Sequence, residues 1–351
     1  MTGLVDAKCP SVGVLLRRTL CVALASMVLV VMTGQARAQA PRGSLKIALI
    51  AKSEANTVFV AARRGAEAAA QEQSAKLGAP VEILWLTPPR EDAAIQAERV
   101  AQAVRERVGA ILISCSDSVV LTPAINAAVE HGVAVMTFDS DAPDSKRFAF
   151  YGTDETDLGD KLVATLVEQL GAKGKIAVLA GNPNALNLRK RAEAVKKAAA
   201  RYPGLEVVEI VHHLETPADA AAEVLKFDAA HPDLAGWVMV GGWPLRHSSQ
   251  TLALIQELQT RKLKVVAIDA LPEQLIYVEK GLVPVLWAQP NYMWGKVGVE
   301  TIVDKVARKK SVPERIRLEL VRVSRQNLGT WARQLQAWGF TGIPAEYLKL
   351  E

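Results

Sequence analysis

Residues 45–78 read LKIALIAKSEANTVFVAARRGAEAAAQEQSAKLG. Apart from Lys46, residues 45–51 are apolar without alternation, which is the pattern of a strand covered on both faces. A polar stretch from Lys52 to Asn56 follows. Residues 57–77 are then rich in Ala, Glu, Gln and Arg, which lose little side-chain freedom in a helix, and Gly78 supplies a stop. Strand, loop and helix in that order predict one unit of an α/β fold. The unit recurs, with strands at 81–86, 110–114 and 133–138 and helices at 92–107 and 119–131. A second series places strands at 175–180, 205–211, 236–240, 264–268, 283–288 and 316–321. Its helices fall at 157–170, 185–201, from Pro217 to about 230, 245–260, 272–280 and 292–308. Short buried strands alternating with helices imply right-handed crossovers and doubly wound parallel sheets. Two such α/β lobes are predicted, with any ligand at the carboxyl ends of their strands.

Composition agrees with a globular chain. Of 351 residues, 50% are hydrophobic and 23% charged, and 23 Gly with 17 Pro are about average, so collagen-like and low-complexity chains are excluded. The formal charge is +5, but residues 1–38 hold Lys8, Arg17, Arg18 and Arg37 against Asp6, so the rest has a surplus of only two bases. No nucleic-acid partner is expected from such scattered charge. Arg17 and Arg18 precede an apolar run from Leu20 to Met32, and Ala36-Arg37-Ala38 closes it. A charged start, a short apolar middle and a small-x-small exit predict a signal peptide over 1–38, hence export. An uncleaved anchor is the rival, disfavoured by the shortness of the run. Only Cys115 lies beyond the predicted cleavage point, so no internal disulfide is expected, and its apolar setting suggests a small core residue.

The residues that follow the predicted strands share a character. Lys52 to Phe59 follow the first, Asp139-Ser140-Asp141 the fourth and Gly181-Asn182-Pro183-Asn184 the strand at 175–180, with Arg189 and Arg191 just beyond. Gly241-Gly242-Trp243-Pro244, Asp269-Ala270 and Gln289-Pro290 follow three more. Planar Asp, Asn, Gln and Arg groups can each pair with two hydroxyls, and aromatic rings can cover C–H faces, which suits a sugar. No His, Glu and Asp spacing resembles a metal site, and there is neither a phosphate loop nor a Gly-x-Ser-x-Gly elbow.

Over about residues 45–323 the chain resembles the periplasmic sugar-binding proteins of the ribose/galactose type, the receptors of ABC importers with the type I solute-binding fold. The resemblance is carried by Asn56-x-x-Phe59 followed by Gly65-Ala66-Glu67, by residues 109–113 and 132–139, and by Gly152-Thr153-Asp154, Arg191-x-Glu193, residues 266–270 and Ala288-Gln289-Pro290. It implies two doubly wound parallel-sheet lobes, residues 45–153 plus 290–323 and residues 154–289. A three-stranded hinge would join them at crossings near Thr153, Gln289 and Ser324, with a helical extension over 324–351. It also implies ligand contacts at Asn56, Phe59, Asp139, Arg189, Asp269 and Gln289, with a ring from Trp243. It implies no catalysis and no cofactor or metal. The implied partners are a sugar ligand and an inner-membrane ABC permease, for a monomer working in the periplasm. Two departures stand out. Val58 occupies a position where the family often has an aromatic, and Gly241-Gly242-Trp243-Pro244 replaces an Asn-Asp, so ribose itself is not the expected ligand.

Each assignment has a plainer rival. Asn56 caps the helix from Thr57, binds ligand, or does both. Phe59 reads as a pocket wall or as core, and Asp139 and Asp269 as helix caps unless both face one cleft. Of the two arginines close on one helix, Arg189 is assigned to the ligand and Arg191 to bracing the lobe. Trp331, Leu335 and Trp338 share one helical face, which predicts packing of the tail onto a lobe, with partner docking as the alternative. A periplasmic receptor for a chemotaxis or two-component sensor would share the same ligand chemistry. An exported glycoside-processing enzyme would need Asp139 and Asp269 as paired carboxylates. A sugar-responsive transcription regulator would share the core but would need an amino-terminal DNA-binding helical domain, where residues 1–44 read instead as an export signal.

Overall fold

The computed structural model of the chain describes residues 43–246 and 249–351. The predicted signal segment therefore lies outside the described residues. The first half runs β1 (Leu45–Ile50), α1 (Thr57–Leu77), β2 (Val81–Trp85), α2 (Ala93–Arg105), β3 (Ala110–Ile113), α3 (Ser118–Glu130), β4 (Ala134–Phe138) and β5 (Ala149–Gly152). Next come α4 (Glu155–Leu170), β6 (Gly174–Ala180), α5 (Leu186–Ala199), β7 (Leu205–His212), α6 (Pro217–Ala230) and β8 (Leu234–Met239). The chain continues through α7 (Ser249–Thr260), β9 (Lys264–Ile268), α8 (Leu275–Glu279), β10 (Val285–Ala288), α9 (Asn291–Val306), β11 (Arg315–Arg317), β12 (Val321–Ser324) and α10 (Leu328–Ala337).

Two six-stranded sheets result, ordered β11-β5-β4-β3-β1-β2 and β12-β10-β9-β8-β6-β7. Every strand pair is parallel except β10 with β12. The apolar runs decide this. Ile47 to Ile50 and Ala110 to Ile113 are fully buried, because helices cover both sides of the sheet. Local signals set the helix ends. Asp92, Asp117 and Asp154 each accept two backbone N–H groups at the starts of α2, α3 and α4, and Thr216 caps α6 with Pro217 in its first turn.

The chain passes between the sheets three times. After β5 it crosses at Thr153 into α4, which packs with α5 on the second sheet. After β10 it returns at Gln289-Pro290 into α9, which lies against α1. That contact is backbone on backbone. A Cβ on Gly65 would sit 1.9 Å from the Tyr292 carbonyl oxygen, and one on Gly295 would sit 1.8 Å from that of Ala62. The third passage, expected near Ser324, falls earlier, at 318–320. The single strand predicted over 316–321 is two short ones, because β11 pairs with β5 in the first sheet while β12 pairs with β10 in the second. Residues 321–323, assigned to the first lobe from the sequence, thus belong to the second sheet. Strand β5 has no counterpart among the strands expected from the sequence. Cys115 is buried in the first-lobe core, where burial pushes its thiol pKa up.

Candidate functional site

Two aspartates occupy matching places. Asp139 follows β4, and its backbone N–H donates to the Tyr151 carbonyl of neighbouring β5 at 3.0 Å. Asp269 follows β9 and donates in the same way to Trp287 of β10, also at 3.0 Å. Both adopt left-handed backbone, φ 55° and 65°, which aspartate tolerates better than most residues and which turns the side chain away from the sheet. Each lobe thus presents one buried carboxylate at the carboxyl end of an inner strand, and both line the same interlobe cavity.

Around Asp139 the bonds run from lobe to lobe. Ser114 Oγ donates to its Oδ2 at 2.8 Å, and Asn187 Nδ2, from the start of α5, donates to its Oδ1 at 2.9 Å. Lys52 Nζ, from the end of β1, donates to Asn187 Oδ1 at 3.3 Å. Burial raises the Asp139 pKa against the pull of Lys52 and Arg191. Lys52 is itself fully buried. Burial works against its charge, but Glu215, Glu91 and Asp139 outweigh it and raise its pKa.

Around Asp269 the second half of the site assembles. Gln289 Nε2 and Asn291 Nδ2 donate to its Oδ1 at 3.1 and 3.5 Å, and Arg246 Nη2 stands 3.9 Å from its Oδ2. Arg246 Nη1 donates to Asn56 Oδ1 at 2.6 Å, across the cleft. The same Asn56 oxygen accepts the Val58 N–H at 3.2 Å, so Asn56 both caps α1 and joins the site. Gln289 ties the hinge to the cavity, since its Oε1 accepts from Thr153 Oγ1 at 2.8 Å and from Arg191 Nη2 at 3.3 Å.

Of the two arginines, the one expected at the ligand lies away from the cavity, and the one expected to brace the lobe both braces it and lines the cavity. Arg189 is exposed and lies outside the cavity lining. Arg191 is 2% exposed and lines the cavity. Helix phase is the reason, because Leu188, Arg191, Ala192 and Val195 share the buried face of α5 and Arg189 points away from it. Arg191 also braces the lobe, with Nε and Nη2 gripping Glu155 at 2.6 and 2.9 Å and Nη1 donating to the Val240 carbonyl at 2.8 Å. Burial opposes its charge, but Glu155, Asp139 and Asp269 outweigh burial and raise its pKa.

Phe59 does two jobs. It lines the cavity and packs with Phe138 and Trp294, ring centres 6.3 and 6.1 Å away. Trp243 lines the opposite wall, edge-on to His213 at 4.5 Å. It folds back over Gly241, where a Cβ would lie 2.0 Å from the indole, so this glycine is what admits the ring. Val58 lines the cavity where an aromatic was looked for, and Trp294 supplies a further ring.

Lys52, Asn187, Glu215 and Arg246 were not singled out from the sequence. Lys52 lies two residues past β1, in the polar stretch that follows the strand, a position that carried some signal. Glu215 and Arg246 sit in loops with no periodicity. Glu215 Oε1 accepts the Asn182 N–H at 3.0 Å, and burial, opposed by Lys52, lifts its pKa to about 7. The folded chain therefore holds this proton more tightly than the unfolded chain, with its ordinary glutamate pKa. Wild type should lose stability relative to Glu215→Gln as pH rises from about 4.5 to about 7, and the difference should then level off. Urea unfolding of both proteins across that range measures it, and a constant difference would contradict the assignment.

Lys52, Arg191 and Arg246 oppose Asp139, Glu155, Glu215 and Asp269, so the site is close to neutral. The space between these groups is about 30 Å³, with Lys52 and Arg246 among its lining. A wider opening of about 610 Å³ shares Asp139 and Asn187 with it and is bounded by β5, β11 and the outer faces of α4 and α5. Among the described residues no group of three or more His, Cys, Asp or Glu side chains could hold a metal ion, and no helix is long and apolar enough to cross a membrane.

Residues 47–310 match the family model of the periplasmic binding protein domain. The ribose import binding protein RbsB of Bacillus subtilis (strain 168) is 28% identical over 136 residues, 39% of this chain and 42% of that protein. Among solved structures, an ABC transporter solute-binding protein of Burkholderia graminis in complex with D-arabinose superposes with a TM-score of 0.72 at 26% identity, over 81% of this chain and 96% of its own. A carbohydrate transporter solute-binding protein of Agrobacterium radiobacter, also in complex with D-arabinose, gives a TM-score of 0.73 at 22% identity over 84% and 98% of the two chains, which bears on the fold alone.

Proposed function

Because the chain belongs to the periplasmic binding protein family and has the type I fold of its ribose/galactose-type sugar binders, we propose that it captures a monosaccharide or similar polyol between its lobes and passes it unaltered to an ABC permease. One observation carries this reading, namely Asp139 and Asp269 brought from equivalent strand ends of the two lobes to one cavity. A hydroxyl that donates to either carboxylate and accepts from Lys52, Arg191 or Arg246 replaces a contact the protein already makes. Near-neutral charge suits an uncharged ligand. Phe59, Trp243 and Trp294 offer rings for its C–H faces.

The cavity must enlarge to admit a sugar. Parting of the lobes about Thr153, Gln289 and 318–320 breaks the Asn187–Asp139 and Arg246–Asn56 bonds and frees both sets of groups for ligand. Closure then removes water, and each buried donor or acceptor left unmatched costs about 1–3 kcal/mol, so hydroxyl stereochemistry is read sharply. Export through residues 1–38 would place this work in the periplasm.

The test is a thermal-shift screen of the full chain against pentoses, hexoses, deoxysugars and polyols. A ligand that binds only the folded chain raises the melting temperature by mass action. At least one aldose or polyol should give a concentration-dependent rise. No shift with any of them at millimolar concentration would overturn the reading.

A further inference from the structure

The segment after β12 touches both lobes. Helix α10 is anchored in the second-lobe core through Leu328, Trp331, Ala332 and Leu335. Trp331 Nε1 donates to the Ala270 carbonyl at 2.7 Å, one residue beyond Asp269. The tail therefore grips the turn that carries one of the two site carboxylates. Past α10, Gly339 takes left-handed backbone, φ 80°, and redirects the chain toward the first lobe.

There the segment meets two first-lobe helices. Trp338 stacks on Tyr292 of α9, centroids 5.2 Å apart and planes within 5° of parallel. Arg64 of α1 donates from Nη1 to the Gly339 carbonyl at 2.6 Å, and its guanidinium lies over the Phe340 ring at 5.3 Å. Phe340 packs against the hydrophobic cores of both lobes. On the tail side, Trp338, Gly339 and Phe340 belong to none of the three chain crossings and lie beyond the family match, which ends at residue 310.

We propose that residues 338–340 are a latch: anchored to the second lobe by α10, they grip Arg64 and Tyr292 of the first lobe in the closed arrangement and bias the ligand-free chain toward closure. A rigid body fastened to one lobe and bonded to the other must lose those bonds when the lobes part, so their free energy adds to the closed state. Trp331 couples the latch to the site, because it holds the Asp269 turn on the same helix. The closing bias is independent of what the site binds.

The experiment is small-angle scattering of the full chain without ligand, compared with Trp338→Ala/Phe340→Ala and with Arg64→Ala. An aromatic stack and a cation–π contact together are of a size to shift the open-to-closed ratio roughly tenfold. The radius of gyration should rise in both variants, more in the double one, while circular dichroism and cooperative unfolding stay those of a folded protein. Should the double variant fail to fold, Arg64→Ala decides, since it releases the latch from the first-lobe side without touching α10. Unchanged radii in the folded variants would show a fixed buttress and overturn the proposal. Because no sugar is present, this result is independent of the ligand screen.

Discussion

Arg191→Ala should cost about 3–5 kcal/mol of folding stability at neutral pH, because it strands a buried charge. Its partner Glu155 is 11% exposed at the side chain and accepts both guanidinium bonds. The Val240 carbonyl loses its donor, and Gln289 loses one of its two. Arg189→Ala, two positions away and exposed, should stay within about 0.5 kcal/mol of wild type. Urea unfolding of both variants measures the contrast. Equal midpoints would mean that the Arg191–Glu155 pair contributes nothing net, and the account of α5 as the brace of the second lobe would have to go.

Asp269→Ala should weaken binding of whichever sugar the thermal screen identifies by about a hundredfold or more, on the scale of losing one partner of a buried, hydrogen-bonded charge. Gln289, Asn291 and Arg246 all direct donors at this carboxylate, so its removal leaves donors facing the ligand with no acceptor among them. Alanine also strains at φ 65°, and stability should fall as well. Asp269→Asn separates the two effects. It keeps an acceptor and tolerates the left-handed backbone, so its melting temperature should stay closer to wild type while its affinity still drops. Calorimetric titration of the three proteins decides the matter. Wild-type affinity in the asparagine variant would remove the carboxylate from the binding role.

Much of the fold was legible because its signals are local. Unbroken apolar runs such as Ile47 to Ile50 and Val265 to Ile268, short and bounded by polar or turn residues, read as strands covered on both faces. Gly78 and Gly171 stop helices where left-handed backbone is needed. The site was half legible for the same reason. In an α/β sheet the loops that follow strands face the cleft, which marks out the stretches that hold Asn56, Asp139, Asp269 and Gln289, and the family resemblance then implies those four as contacts. Helix phase could also have selected Arg191, since Leu188, Ala192 and Val195 define the buried face. Glu215 and Arg246 left no such trace. They come from irregular loops, and their place in the cavity depends on how those loops return over strand ends far away in the chain.

By itself, then, the order of apolar runs, caps and stops determined two parallel sheets with polar groups at their rims, since each of those choices is made by neighbours within a few residues. Only the tertiary structure decided which rim groups meet across the cleft, that the last strand is split between the sheets, and that the tail reaches back to α1. Those pairings join residues more than a hundred positions apart, such as Arg246 with Asn56 and Arg64 with Gly339. No short-range pattern encodes them, because they are fixed by the packing of whole lobes against one another.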